Sequence, residues 1–386
     1  MIYPRIRLDK VCRITMGQAP SGDSYNFDSE GLALIAGAGD FGKQTPEPKK
    51  FTTAAGKKSE KGEIILCIRA TIGDLNWSDK EYCLGRGVAG LFGHKDKLDQ
   101  KYLWYWLTNV APILKSKGKG ATFLQVTKED ICSLEITLPP LSEQRRIASI
   151  LDKAHDLRQK RQQAIEKLDQ LLQATFIDMF GDPVSNPNNF EQIELDNFIL
   201  VGPQNGLYKP SNMYGQGIPI VRIDGFKSGD IIDNKEFKRL SLEESDIEKY
   251  KLNKFDLVIN RVNSPEYIGK TALIRNLEES TVFESNMMRF AVDPSKLDPY
   301  YLLFFLKQQF VLNQIANKRK DAVNQSSINQ QDVKSLIINV PSIESQLTFS
   351  NFFQKIEKNR NLFKQQSLNF DNLFKALQNQ AFSGNL

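Results

Sequence analysis

LPPLSEQRRIASILDKAHDLRQKRQQAIEKLDQLLQATFIDMF, residues 138 to 180, decides the architecture. From Ile147, steps of four and three residues pick out Ile147, Leu151, Ala154, Arg158, Arg161, Ile165, Leu168, Leu172, Thr175 and Met179. This is a heptad seam interrupted by two arginines, and it predicts a helix from Ser142 to Phe180. The seam returns 202 residues later (349 − 147 = 202) as Phe349, Phe353, Ile356, Arg360, Phe363, Ser367, Phe370, Phe374, Leu377 and Ala381. The lead-ins repeat as well: LPPLSEQ (138–144) aligns with VPSIESQ (340–346), which sets Pro139 over Pro341 and Gln144 over Gln346.

An apolar stripe on a helix needs a partner, and two matching stripes in one chain supply it. The helices are separated by a segment of globular size, so the expected arrangement is two heads on an antiparallel coiled-coil rod. A single stripe is more often the packing face of a helical bundle; the shared register of two stripes argues against that. Arg158 and Arg360 hold equivalent seam positions, where a polar residue either sets register or turns outward to a partner.

The remaining composition bounds the function. With 386 residues and 40% apolar content there is room for two or three folded domains. A net charge of +5, from 51 basic and 46 acidic residues, is a mild basic bias that matters only where it is localised. Cys12, Cys67, Cys83 and Cys132 lack paired spacing and read as reduced core thiols. His94 and His155 fit no metal-ligand pattern. No signal-like start and no membrane-length apolar run is present, so a cytoplasmic location and no membrane partner are expected.

The first globular segment predicts mixed α/β structure. Ile64 to Ile68 is an apolar run between turn signals, hence a buried strand, and KYLWYWLT (101–108) is a short aromatic helix. Loops rich in Gly, Lys and Ser lie between, at 17–24, 36–51, 54–62 and 115–122. FGDPVSNPNNF (180–190) stops the long helix. The second globular segment keeps the same order: ELD (194–196) follows RLD (7–9), GIPIVRIDGF (217–226) follows GLALIAGAGDF (31–41), NKFDLVINRVN (253–263) follows EKGEIILCIRA (60–70), YIGKT (267–271) takes the place of TIGD (71–74), and YYLLFFL (300–306) follows KYLWYWL (101–107). One fold twice, with different loops, suits reading two different things.

Catalytic patterns fail individually. SPEYIGKT (264–271) ends like a phosphate loop, but Ser264 stands where the first Gly is required and strand-like residues follow. Asp40, Glu47 and Lys49 mimic a nuclease triad, yet Pro46 and Pro48 flank the glutamate and imply a solvated loop. NPNNF (186–190) lacks the second proline of a base-methylating tetrapeptide, and no nucleophile elbow is present. The chain reads as a binder.

LPPLSEQRRIASILD (138–152), MFGDP (179–183) and the terminal AFSGNL (381–386), together with the double repeat, resemble the DNA specificity subunit of Type I restriction and modification systems. The second lead-in departs from that pattern, with Ser342 and Ile343 in place of proline and leucine. The resemblance implies a non-catalytic subunit in which two target-recognition domains each read half of an interrupted, asymmetric duplex DNA sequence, and an antiparallel coiled coil spaces the halves. It implies two methyltransferase subunits that bind S-adenosylmethionine as partners, which two ATP-driven restriction subunits can join. It places no cofactor in this subunit. At about 1.5 Å per residue each helix would make a rod of roughly 55 Å, longer than the roughly 34–36 Å turn of DNA. The segments are 1–140, first recognition domain; 141–181, first long helix; 182–340, second recognition domain; 341–386, second long helix.

Phosphate contacts are expected from Lys57, Lys58, Lys115, Lys117 and Lys119 in the first head and Lys318, Arg319 and Lys320 in the second. Base reading calls for forked donors and amides: Gln18, Arg69, Arg86 and Gln125 in the first head, and Arg222, Arg261, Asn263, Asn286 and Gln325 in the second. Arg69 and Arg261 are taken as corresponding positions, which base readers or shared structural arginines packed on a carboxylate would both satisfy. Two rival functions remain: a coiled-coil adaptor whose heads bind proteins, and a self-contained nuclease or methyltransferase, which the missing motifs disfavour.

Overall fold

The computed structural model describes residues 3–120, 122–233, 236–322 and 325–383; Ala121 of the basic loop and the last three residues of the AFSGNL tail, Gly384, Asn385 and Leu386, lie outside them. The chain divides into two compact units, one of residues 1–164 with 363–386 and one of 165–362.

In the first unit the central sheet is antiparallel, in the order Cys12–Met16, Val88–Gly93, Ile64–Cys67, Leu75–Trp77. Ile64 to Cys67 is buried at every position, as a continuous apolar run requires. A smaller sheet joins Leu32–Ile35 in parallel to Cys83–Leu84. A ribbon of Arg5–Arg7 against Glu135–Thr137 closes the segment just ahead of the long helix. Helix Gln100–Ser116, capped by the Asp99 carboxylate, lays Tyr102, Leu103, Trp106, Leu107, Val110 and Leu114 into the core. It is longer than the short aromatic helix expected from 101–108, because the spacing Leu107, Val110, Leu114 prolongs the buried stripe through Pro112. Lys115, expected in a loop, therefore sits in its last turn.

The second unit repeats this plan. Its sheet runs Ile199–Asn205, Met287–Val292, Leu257–Asn260, Thr271–Ile274, with Asp230–Ile232 added in parallel at the edge. Tyr214–Val221 pairs in parallel with Val282–Phe283, and Glu191–Glu194 forms the closing ribbon with Ile337–Val340. Helix Pro299–Leu306, capped by Asp298, is buried at every position. Thr271–Ile274 is a strand and only a short 3-10 turn at Pro265–Tyr267 precedes it, so the GKT end opens no helix.

The agreement between units extends to single hydrogen bonds. Gln144 accepts from the Asp99 amide at 2.8 Å and donates to the Pro139 carbonyl at 2.8 Å. Gln346 accepts from the Asp298 amide at 2.8 Å and donates to the Pro341 carbonyl at 2.9 Å. Both glutamines are fully buried, each tying a helix start to the cap of the aromatic helix. Tyr102 donates to the Thr137 carbonyl and Tyr301 to the Asn339 carbonyl, each at 2.8 Å. The RLD and ELD echo is the same bond twice, Leu8 N–H to the Leu134 carbonyl and Leu195 N–H to the Leu336 carbonyl, both 2.8 Å.

The long helices are Leu141–Phe180 and Ile343–Ser383, of 40 and 41 residues. Every one of the twenty seam positions is buried or half-buried. Within the first unit, Ile147, Leu151 and Ala154 share one core with Phe374, Leu377, Ala381 and Phe382. Arg158 donates to Asp371 at 2.5 Å, its guanidinium 4.8 Å from the Phe374 ring centre, and Arg161 stacks 4.5 Å over Phe363. Within the second unit, Leu168, Leu172, Phe176 and Phe180 pack on Phe349, Phe353 and Ile356. There Arg360 donates to Asp169 at 3.2 Å and holds Glu357 at 2.8 Å. Both seam arginines thus turn inward to a carboxylate of the facing helix segment.

Candidate nucleic-acid interface

Sequence-specific DNA binding needs donors and acceptors free of internal partners, held on a rigid frame. In the first unit the frame is the buried strand Ile64–Cys67 and the loops that leave it. Arg69 lies 5.7 Å over the Phe123 ring, and its backbone pairs with Gln125. Gln125 and Lys119 exchange backbone bonds of 3.0 and 2.9 Å, closing a small basic loop. Gln18, which is exposed, donates its backbone N–H to the Leu84 carbonyl at 2.8 Å, two residues from Arg86. Arg69 and Arg86 line one cleft of about 280 Å³ with Ala19, Pro20 and Tyr25. Among the described residues neither guanidinium has a carboxylate partner. Backbone bonds thus join Arg69, Gln125 and Lys119, the shared cleft joins Arg69 to Arg86, and Gln18 is bonded beside that cleft.

The remaining first-unit lysines are dispersed. Lys57 and Lys58 flank the Cys83–Leu84 strand, with Lys58 3.6 Å from Glu81, and Lys117 bonds Ser133 at 3.3 Å. In the second unit Lys318 bonds Ser335 at 2.9 Å, the same contact 201 and 202 residues on (318 − 117, 335 − 133). That repetition marks a shared structural bond at both lysines.

In the second unit a small sheet of Val262–Asn263, Ser326–Ser327 and Lys320–Asp321 brings Arg261, Asn263, Lys320 and Gln325 together. Arg261 and Val262 donate their amides to the Asn286 carbonyl at 2.8 and 3.2 Å, which adds Asn286 to the group. Arg222 and Arg319 are less free. Arg222 is 3.6 Å from Glu284, 3.5 Å from Asp224 and 5.6 Å from the Tyr214 ring, while Arg319 is tied to Asp321 at 3.0 Å. Burial pushes the Glu284 carboxyl above its ordinary range despite Arg222.

One expected correspondence is corrected. Val126 N–H bonds the Ile68 carbonyl at 3.0 Å and Ile328 N–H bonds the Arg261 carbonyl at 2.9 Å. Gly73 N–H reaches Cys67 and Gly269 N–H reaches Asn260, each at 3.0 Å. The counterpart of Arg261 is therefore buried Ile68, and that of Arg69 is Val262; the two arginines are one position out of step. Among the described residues neither packs on a carboxylate: Arg261 donates to the Ser285 carbonyl at 3.1 Å.

Sequence reading also passed over Phe123, which is 56% exposed among the lysines, and the free amides Asn205, Gln330 and Gln331. The first was visible as an aromatic inside a basic loop. The amides come from separate stretches and carry no local signal. The Asp40 region is a loop in which Asp40 accepts from the Ala36 amide at 2.7 Å. Among the described residues no group of three His, Cys, Asp or Glu side chains could hold a metal, and no helix is long and apolar enough to cross a membrane. All four cysteines are buried and free, and burial raises the Cys12 thiol to about 12.

This duplicated fold, with free forked donors beyond its buried strands, matches the Type I restriction modification DNA specificity domain over residues 5–167 and again over 187–369, and the chain belongs to that family. It is 37% identical over 162 residues to the putative type I restriction enzyme MjaX specificity subunit of Methanocaldococcus jannaschii, covering 41% of this chain and 38% of that one. It is 26% identical over 290 residues to the type I restriction enzyme EcoKI specificity subunit of Escherichia coli, covering 71% of this chain and 62% of that one. The matched region thus spans less than two thirds of either relative. The fold resembles the crystal structure of the Type-I restriction-modification system S subunit from M. genitalium, with TM-score 0.60 and 14% identity over 98% of this chain and 96% of that one.

Proposed function

We propose that the chain is a sequence-specific DNA-binding specificity subunit that carries no catalysis of its own. Its two recognition domains, residues 1–140 and 182–340, each read one half of a split duplex target. The observation that carries this reading is the pairing of matching buried frames with unlike loops: the bonds of Gln144 and Gln346 repeat, while Gln18, Arg69, Arg86 and Gln125 have no counterparts of the same kind in the second unit.

Helices 141–181 and 341–386 serve as an antiparallel coiled coil related by a pseudo-twofold, and their length sets the gap between half-sites. The reciprocal pairs Arg158 with Asp371 and Arg360 with Asp169 support this, since 202 residues separate both the arginines (360 − 158) and the aspartates (371 − 169). Phosphates are contacted by Lys57, Lys58, Lys115, Lys119 and Lys320, with Lys117, Lys318 and Arg319 contributing only if they leave their internal partners. Two methyltransferase subunits are the partners directed to the site, joined by two restriction subunits in the cleaving form. Membership in a family whose relatives are specificity subunits of restriction enzymes supports those partners.

Titrating binding of random duplex DNA against salt tests the function. DNA reading gives a slope close to −0.9 per phosphate contact, reduced by about one for each contacting lysine changed to Gln. An adaptor for proteins gives no duplex affinity and no slope.

A further inference from the structure

In the second unit a cleft of about 510 Å³ is lined by Asn205, Arg261, Asn329, Gln330, Gln331 and Lys334. It lies between the end of strand Ile199–Asn205 and the turn leading into Gln330–Lys334. Asn205, Gln330 and Gln331 are exposed, and among the described residues their side-chain amides have no internal partner. Asn329 spends its carbonyl oxygen on the Gln331 and Asp332 amides. Arg261 gives one Nη to Ser285, while its Nε is buried without a partner.

The fold does not require these amides, and the sibling unit proves it. Gly17 N–H bonds the Val88 carbonyl and Gly206 N–H the Met287 carbonyl, so Met16 stands where Asn205 does. Matching capping boxes at Thr127 and Asn329 put Lys128 and Glu129 at the places of Gln330 and Gln331, and Ile68 replaces Arg261. In that unit Glu129 is consumed by Arg7 at 3.0 Å. Three free amides are thus added to one head, on a frame that packs without them. A carboxamide both donates and accepts from one planar group, which is the complement of the adenine N6 and N7 edge in the major groove.

We propose that this cleft reads adenine: Asn205, Gln330 and Gln331 select at least one A·T pair in the half-site of the second domain. The inference rests on the DNA-reading function proposed above and adds the base class and the residues.

The test is selection of duplexes from a random pool by the chain co-purified with its proposed methyltransferase partner. Gln330→Ala, Gln331→Ala and Asn205→Ala are compared with the unaltered chain, with thermal melting as the check on folding. Expected is relaxation of about tenfold at an A·T position of one half-site, the other half-site unchanged. Gln331→Glu, which keeps the shape but loses the donor, should abolish the adenine preference without restoring it elsewhere. A split motif that all four variants leave intact, or relax only at G·C positions, overturns the cleft assignment and leaves the general function standing. If the unaltered chain selects no split motif, the general function fails and the cleft assignment with it.

Discussion

Arg158 meets Asp371 at 2.5 Å, and the same kind of pair recurs as Arg360 with Asp169 at 3.2 Å, the partners exchanged between the two long helices. The two sites differ in burial. The Arg158 and Asp371 side chains are 36% and 43% exposed, whereas Arg360 is 13% exposed and holds a Glu357 that is 3% exposed. Arg158→Ala should therefore cost below about 1 kcal/mol, and Arg360→Ala about 3 kcal/mol or more. Urea unfolding measures both, and equal losses would contradict the difference in environment.

Gln144 satisfies a half-buried amide and Gln346 a buried one, each at the cap of an aromatic helix. Replacing either by Ala leaves that N–H and one or more carbonyls without partners, a cost of about 1 to 3 kcal/mol. The two losses should be similar, because the bonds are. A clear loss for one and none for the other would show that the repeat is not energetic.

Leu168 and Phe370 are seam residues 202 apart (370 − 168), and both are half-buried. Aspartate at either position puts an unpaired charge into an apolar stripe. Leu168→Asp or Phe370→Asp should abolish recognition of the split target. Retained binding to the intact bipartite site would argue against the proposed pairing of the helices.

Glu63 is fully buried, and one of its carboxylate oxygens has no hydrogen-bond partner. Burial raises its pKa above the ordinary glutamate value. A carboxyl held more tightly protonated when folded contributes its stability fully below the unfolded value of about 4.3 and loses it as pH rises through the folded value. Glu63→Gln mimics the protonated form and keeps an acceptor for the Glu60 amide. The variant should therefore gain stability relative to the unaltered chain as pH is raised from 4 to 8. A stability difference that is constant with pH would show that Glu63 does not titrate abnormally.

How legible all this was depended on the range of the determining interactions. The seam needed only a period of 3.5 along one chain segment, and every seam residue is buried or half-buried. The buried strand at Ile64 was equally local. The continuation of Gln100–Ser116 through Pro112 was missed because the loop composition after Thr108 outweighed a stripe that only packing reveals. Arg69 was matched to Arg261 because both follow the strand; the hydrogen bonds of Val126 and Ile328 place them one residue apart. The amide cleft joins residues 205, 261, 329–331 and 334, which only the folded sheet brings together.

The central claim is that two unlike heads read one split target. Co-expressing the chain with its proposed methyltransferase partner and mapping methylated bases across the host genome tests this most directly. The account predicts methylation within a motif of two short, different half-sites separated by a fixed gap, a gap that changes when both long helices are lengthened while the half-sites do not. Methylation at a single continuous site, or half-sites that themselves change with helix length, would contradict it.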